Sequence, residues 1–235
     1  TQMRNALHEH AYSYNQLSRS KHNQSHFNAT LDYQRSFKKK GEYLTFSYRY
    51  GTSPNSAESH TDYADILDYP YDESYLFNQF YDSEARTDEH IFQLDYTNPI
   101  NKMHSFDFGG KYILRNNKSE SQYFKEYNGE YQVDDNLTDN FKQTQNILAA
   151  YGDYMLKWKK MGAKVGVRYE HTFMDVEYAK MPEKNFDAGF DDIVPSMMLS
   201  YQLAPTQTLR ATYNMRISRP GIWYLNPFRD TSNPT

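Results

Sequence analysis

Charged and polar side chains recur at every second position in two stretches of the chain. Lys164, Gly166, Arg168 and Glu170 share one row, and Arg210, Thr212, Asn214 and Arg216 share another. Spacing by two puts each set on one face of a strand. Such rows pair with one another, bind water or hold a polar neighbour, but they do not make or break bonds. The groups that would do so are missing: no nucleophile elbow, phosphate loop, dinucleotide fingerprint or His-Glu-x-x-His pattern occurs. His8-Glu9-His10 offers two imidazoles without defined partners in a polar segment, which reads as solvated. The acid pairs Asp134-Asp135 and Asp191-Asp192 fall in stretches read as loops, with no framework to hold two carboxylates a fixed distance apart. Asn117-Lys118-Ser119 and Asn136-Leu137-Thr138 match a glycosylation acceptor by chance, because the motif is short. With no Cys, disulfides and thiolate metal sites are excluded. No catalysis, cofactor or metal is expected.

The elements that carry these rows read as strands. In Asp192–Phe228, Ile193, Pro195, Met197, Leu199, Tyr201 and Leu203 form an apolar row. A turn follows at Ala204–Thr208. Leu209, Ala211, Tyr213, Met215 and Ile217 form a second apolar row, opposite Arg210, Asn214 and Arg216. Helical spacing of three and four is absent, so this is a hairpin.

The same alternation recurs along the chain. Thr1–Asn23 is polar and unpatterned. Phe27, Ala29, Leu31 and Tyr33 are followed, after Lys38–Gly41, by Leu44, Phe46, Tyr48 and Tyr50. His90, Phe92, Leu94 and Tyr96 precede Phe106, Phe108, Gly110, Tyr112 and Leu114. Leu148, Ala150, Gly152, Tyr154 and Leu156 form a fifth row, which Ile147, Ala149 and Tyr151 blur. Ala163, Val165, Val167 and Tyr169 alternate with Lys164, Gly166, Arg168 and Glu170. The spacing predicts hairpins over about 24–50, 90–115, 144–172 and 192–217, or about eight strands.

Composition fits strands in a membrane better than a water-soluble core. Of 235 residues, 23 are Tyr and 14 Phe, residue types that favour sheets. A net charge of -4 gives no electrostatic case for nucleic acid. No apolar run is long enough for a membrane helix, and residues 1–15 lack the pattern of a signal peptide. The mean hydropathy of -0.96 is compatible with a barrel, whose strands turn one face to a polar lumen. Lys or Arg facing lipid near the midplane costs roughly 2–4 kcal/mol. Apolar rows therefore face outward, and Lys164, Arg168, Glu170, Arg210, Asn214 and Arg216 face the lumen. Connections also sort by end. Gly51–Glu89, Asn116–Gln143 and Phe173–Asp191 read as long loops, and the alternate connections as short turns. The expected fold is all-β: an antiparallel up-and-down transmembrane β-barrel segment with short periplasmic turns and long extracellular loops. Trp158, beside a turn, suits an interfacial aromatic belt.

Three motifs in order carry a resemblance. Gly166-Val167-Arg168-Tyr169-Glu170-His171-Thr172 resembles a Gly-Leu-Arg-Tyr-Glu-x-Thr strand, with Val167 and His171 as departures. Asp95-Tyr96-Thr97-Asn98-Pro99 is similar to a strand ending. Arg216, Arg219 and Pro220, then Leu225-Asn226-Pro227-Phe228, resemble an Arg-x-x-Arg-Pro element and its Leu-Asn-Pro-Phe box. All three are similar to segments of the TonB-dependent-receptor-like outer-membrane β-barrel family, over about Ser25 to Phe228. The resemblance implies a barrel of about 22 strands around a plug and import of a small ligand driven by an inner-membrane energy-coupling protein. It also implies contact with outer-membrane lipid and a bacterial outer-membrane location. No plug, coupling segment or closing strand is found, so residues 1–235 read as part of a barrel, with 218–235 starting a further extracellular loop. The ligand is not encoded in any readable way. Two other readings stay open: a small closed barrel acting as adhesin or structural anchor, and a soluble glycan-binding β-protein using Tyr69, Tyr71 and Tyr75 as platforms. A weaker expectation is that the acidic loops favour cationic ligands.

Overall fold

The structure, a computed structural model, describes residues 2–4, 10–69, 76–135, 138 and 140–218. Its strands are β1 (Gln2–Arg4), β2 (His10–Gln24), β3 (Phe27–Ser36), β4 (Tyr43–Leu67), β5 (Gln79–Pro99), β6 (His104–Tyr127), β7 (Glu130–Val133), β8 (Asn140–Trp158), β9 (Met161–Tyr178), β10 (Phe186–Ala204) and β11 (Gln207–Asn214). All pair antiparallel in one sheet, ordered β1-β2-β4-β5-β6-β8-β9-β10-β11. β3 pairs the first part of β4 and β2 the last part, so the two lie end to end along one neighbour. β1 and β7 are short additions to β2 and β6. Eight columns of an up-and-down meander remain, as the alternation predicts. No helix among the described residues is long and apolar enough to cross a membrane, which says nothing about strands.

The register places every predicted apolar row on one face. Val167 pairs with Gly152 and Pro195, and Leu209 with Tyr201. Val165, Val167, Leu209 and Tyr213 are 47%, 53%, 63% and 55% exposed. The opposite face is crowded, as on the inside of a curved sheet. The ambiguity in β8 resolves: Leu148 is 61% exposed and Ile147 1%, so Ile147, Ala149 and Tyr151 belong to the crowded face. The apolar rows end at Tyr50, His90, Leu114, Leu148 and Phe173, and beyond them the outer positions read Thr52, Asp88, Asn116, Asn146 and Asp175. The apolar stretches run about 7–11 residues, close to the roughly 9–11 that a tilted strand needs to span a bilayer.

Several boundaries differ from the reading of the sequence. Gly51–Glu89 is not one long loop, because β4 continues to Leu67 and β5 begins at Gln79. Asn116–Gln143 and Phe173–Asp191 are also largely strand. Residues 10–23 are not an unpatterned tail but most of β2. The predicted hairpins are therefore too short at the end away from the tight turns. The reason is physical. Past the bilayer the outer face meets water, so the outward apolar row stops while the backbone ladder continues. The connections remain asymmetric: residues 37–42, 100–103, 159–160 and 205–206 turn at one end, whereas at the other β4 ends at Leu67 and β5 begins at Gln79, β6 ends at Tyr127 and β8 begins at Asn140 with β7 between them, and β9 ends at Tyr178 and β10 begins at Phe186. At the far end, apolar residues move to the crowded face. Phe141, Met174, Val176 and Tyr178 form one buried cluster, and Tyr14, Tyr63 and Leu76 another.

Candidate functional site

The site is the crowded, polar face of β4–β9. Alternation aims every second side chain of each strand at it, and the register brings rows from different strands side by side.

Nearest the tight turns, Lys164 Nζ lies 3.3 Å from Asp153 Oδ2 and 4.0 Å from Asp107 Oδ2. The Asp153 carboxylate lies across Gly166, where an added Cβ would come within 1.9 Å of it. One level further, the Tyr151 ring crosses Gly109, where a Cβ would come within 2.2 Å of the ring. That bare backbone lets the Tyr151 hydroxyl reach past β6 and donate to Asp95 Oδ1 on β5 at 2.5 Å. Gln93 donates to the other Asp95 oxygen at 2.7 Å. The Arg168 guanidinium lies 5.3 Å from the centre of the Tyr151 ring, and its Nε donates to Glu170 at 2.7 Å. Next, Arg115 donates to Glu89 and, at 3.0 Å, to Gln145, while Arg49 approaches Glu89 at 3.6 Å. Further out, Thr87 donates to Asn117 and Asn117 to Gln143, both at 2.7 Å. Asn117 is buried, so the acceptor match there is no glycan site.

The predicted residues sort as follows. Lys164, Gly166, Arg168, Glu170 and Thr172 share the polar face, and Glu170 and Thr172 are buried in it. Tyr169 points the other way and donates to Asp191 at 2.6 Å. Arg210 and Asn214 occupy the same face on β11 but are exposed, and the network on β4–β9 does not include them. Arg216 lies past the end of β11 rather than within a strand row. Arg219, Pro220, Leu225, Asn226, Pro227 and Phe228 lie outside the described residues, as do His8, Glu9, Asn136, Leu137, Tyr71 and Tyr75. Tyr69 packs edge-on against Tyr12 and Tyr14 instead of offering a free platform. Sequence reasoning did not name Glu89, Asp95, Tyr151 or Asp153 as site residues. For Tyr151 and Asp153 the signal was Gly109 and Gly166 in polar rows, since a bare position invites a neighbour to lie across it.

Cations and carboxylates interleave across strands, so the face neutralises itself while staying hydrophilic. Among the described residues, no group of three or more His, Asp or Glu is placed to hold a metal. The arrangement supplies a water-compatible wall with hydrogen-bonding capacity.

A sequence profile described as "Outer membrane protein beta-barrel family" matches residues 35–235. No curated protein sequence matches the chain. Among solved structures, the unliganded ferric citrate transporter FecA has 12% identity and a TM-score of 0.47, over 73% of this chain and 26% of that one. The siderophore receptor PiuA from Acinetobacter baumannii has 8% identity and a TM-score of 0.43, over 87% of this chain and 42% of that one. This chain thus spans well under half the length of either.

Proposed function

Because this chain belongs to the outer membrane protein beta-barrel family of the bacterial outer membrane, we propose that it forms a sector of the wall of a TonB-dependent-type receptor. In this reading it contributes lumen lining and the outer vestibule for energy-coupled uptake of a small ligand. The observation that carries the reading is the wired polar face of β4–β9, which runs the length of the apolar belt behind it. A wall built to be wet or to meet polar polypeptide is what a lumen or plug contact needs. Most of the charges on it are held by one another or by neighbouring hydroxyl and amide groups, so their first role is to keep that surface rigid and hydrophilic. The motif strand Gly166–Thr172 contributes directly: Gly166 admits Asp153, and Arg168 bridges Tyr151 and Glu170. The partners in this reading are outer-membrane lipid, a plug, further barrel strands and an inner-membrane energy-coupling protein. We assign the chain no catalytic role.

The test is uptake by cells with and without the gene for the intact protein. The probes are ferric siderophores, a corrinoid and oligosaccharides, each with and without a protonophore. The expected result is loss of at least one substrate on deletion, with the same uptake abolished by the protonophore. Uptake of all of them independent of both the gene and the proton gradient removes the proposal.

A further inference from the structure

The lipid-facing surface is not uniformly filled near the tight turns. Leu156, Ala163, Leu199 and Ala211 lie side by side across β8, β9, β10 and β11 in direct register. The next row toward the turns is Trp158, Met161, Tyr201 and Leu209. Two alanines between large neighbours leave an apolar groove of about 360 Å³. At its turn end are Lys159 and Lys160. The Lys159 ammonium lies 5.3 Å from the centre of the Trp158 ring, which holds it at the edge of the apolar surface. Neither lysine has a carboxylate within ion-pairing distance among the described residues. The other turns at the same end carry Lys38, Lys39, Lys40 and Lys102. The carboxylate found in those turns, Glu42, accepts the Tyr96 hydroxyl.

We propose that this groove and the adjoining lysines form a binding site for one anionic phospholipid of the leaflet at the tight-turn end. Part of an acyl chain fills the space over Ala163 and Ala211, and Lys159 and Lys160 meet the headgroup phosphate. The apolar belt already contacts hydrocarbon, so the groove is continuous with a lipid interface. Lys159 and Lys160, with no carboxylate paired to them among the described residues, select an anionic headgroup over a zwitterionic one. An aromatic at the bilayer edge with a lysine laid over it is an arrangement suited to that depth. The inference needs only the membrane-facing belt, and it stands or falls independently of the transport reading.

Native mass spectrometry of the intact protein, extracted folded in detergent, tests it with phosphatidylglycerol and phosphatidylethanolamine as probes. The wild-type protein should retain phosphatidylglycerol in preference, by roughly five-fold for each engaged lysine. Lys159→Gln with Lys160→Gln should erase the preference while leaving total lipid retention similar. Ala163→Phe with Ala211→Phe should reduce retention of both lipids, and Ala163→Leu alone serves if the double variant does not fold. Equal retention of the two lipids by the wild type overturns the proposal, as does a preference that neither variant changes. A shift in oligomeric state on filling the groove, with lipid retention unaltered, assigns the groove to a second copy and also overturns it.

Discussion

A methyl group on Gly109 would meet the Tyr151 ring, which cannot swing aside while its hydroxyl is bound to Asp95. Gly109→Ala should therefore destabilise the folded protein by about 1–3 kcal/mol, the usual cost of overpacking. Tyr151→Ala should recover part of that loss, visible as coupling in a double-mutant cycle of denaturant midpoints. Additive losses would mean that the two residues do not share the space. Arg168 and Glu170 act as a unit of a different kind. Glu170 is buried at 4% exposure and Arg168 keeps 29% of its side chain exposed. Arg168→Ala should cost more than Glu170→Gln, because the first strands a buried carboxylate and the second leaves a neutral hydrogen-bonding group. Outside the belt, burial is the main reason that the Tyr63 phenol is pushed up to about 12, with Tyr14 adding to it. Its folded value lies above its unfolded one, so its contribution to stability is full below pH 10 and is lost as pH rises toward 12. The difference in alkaline tyrosinate absorbance between the wild type and Tyr63→Phe should thus appear late, near pH 12. Its appearance at pH 10 would mean that the Tyr14–Tyr63–Leu76 cluster is open.

Strand alternation in the sequence reported contact with lipid rather than the extent of hydrogen bonding. Val167 lies near the middle of the apolar stretch of β9, so Val167→Arg should lower folding stability in vesicles by roughly 2–4 kcal/mol. Glu84→Arg, on the same outer face of β5 but beyond the belt, should change it little. Equal effects at both positions would place the bilayer wrongly. The extensions of β4, β5 and β6 make their own prediction. Residues 51–67 pair with β5 on one side and with β2 or β3 on the other over most of their length. Their amides should exchange slowly, although they lie outside the apolar belt. Exchange at the rate of open loops would restore the reading of Gly51–Glu89 as a long loop. That reading failed because Glu58, Asp62, Asp82 and Glu84 carry no periodic signal, while strand pairing needs only backbone groups.

For the whole molecule, the two faces should differ toward reagents in solution. The chain has no Cys, so single cysteines report cleanly. Lys111→Cys should react with a charged maleimide in a reconstituted bilayer, or become reactive once a covering plug is released, and Val165→Cys should stay protected in both states. The reverse order would invert the barrel. How much of this was legible follows from what each level of structure requires. The sequence alone determined the strand class, the eight-column meander, the tight turns and which side of each clear strand is apolar. Hydrocarbon tolerates no charge along those rows, and that rule acts residue by residue. The tertiary structure decided the rest. It carried the strands past the membrane, turned Ile147, Ala149 and Tyr151 inward, and brought Tyr151 to Asp95 across Gly109 and Asp153 to Lys164 beside Gly166. These contacts join residues whose separation along the chain says nothing about their neighbourhood. Only the register of paired backbones brings them together.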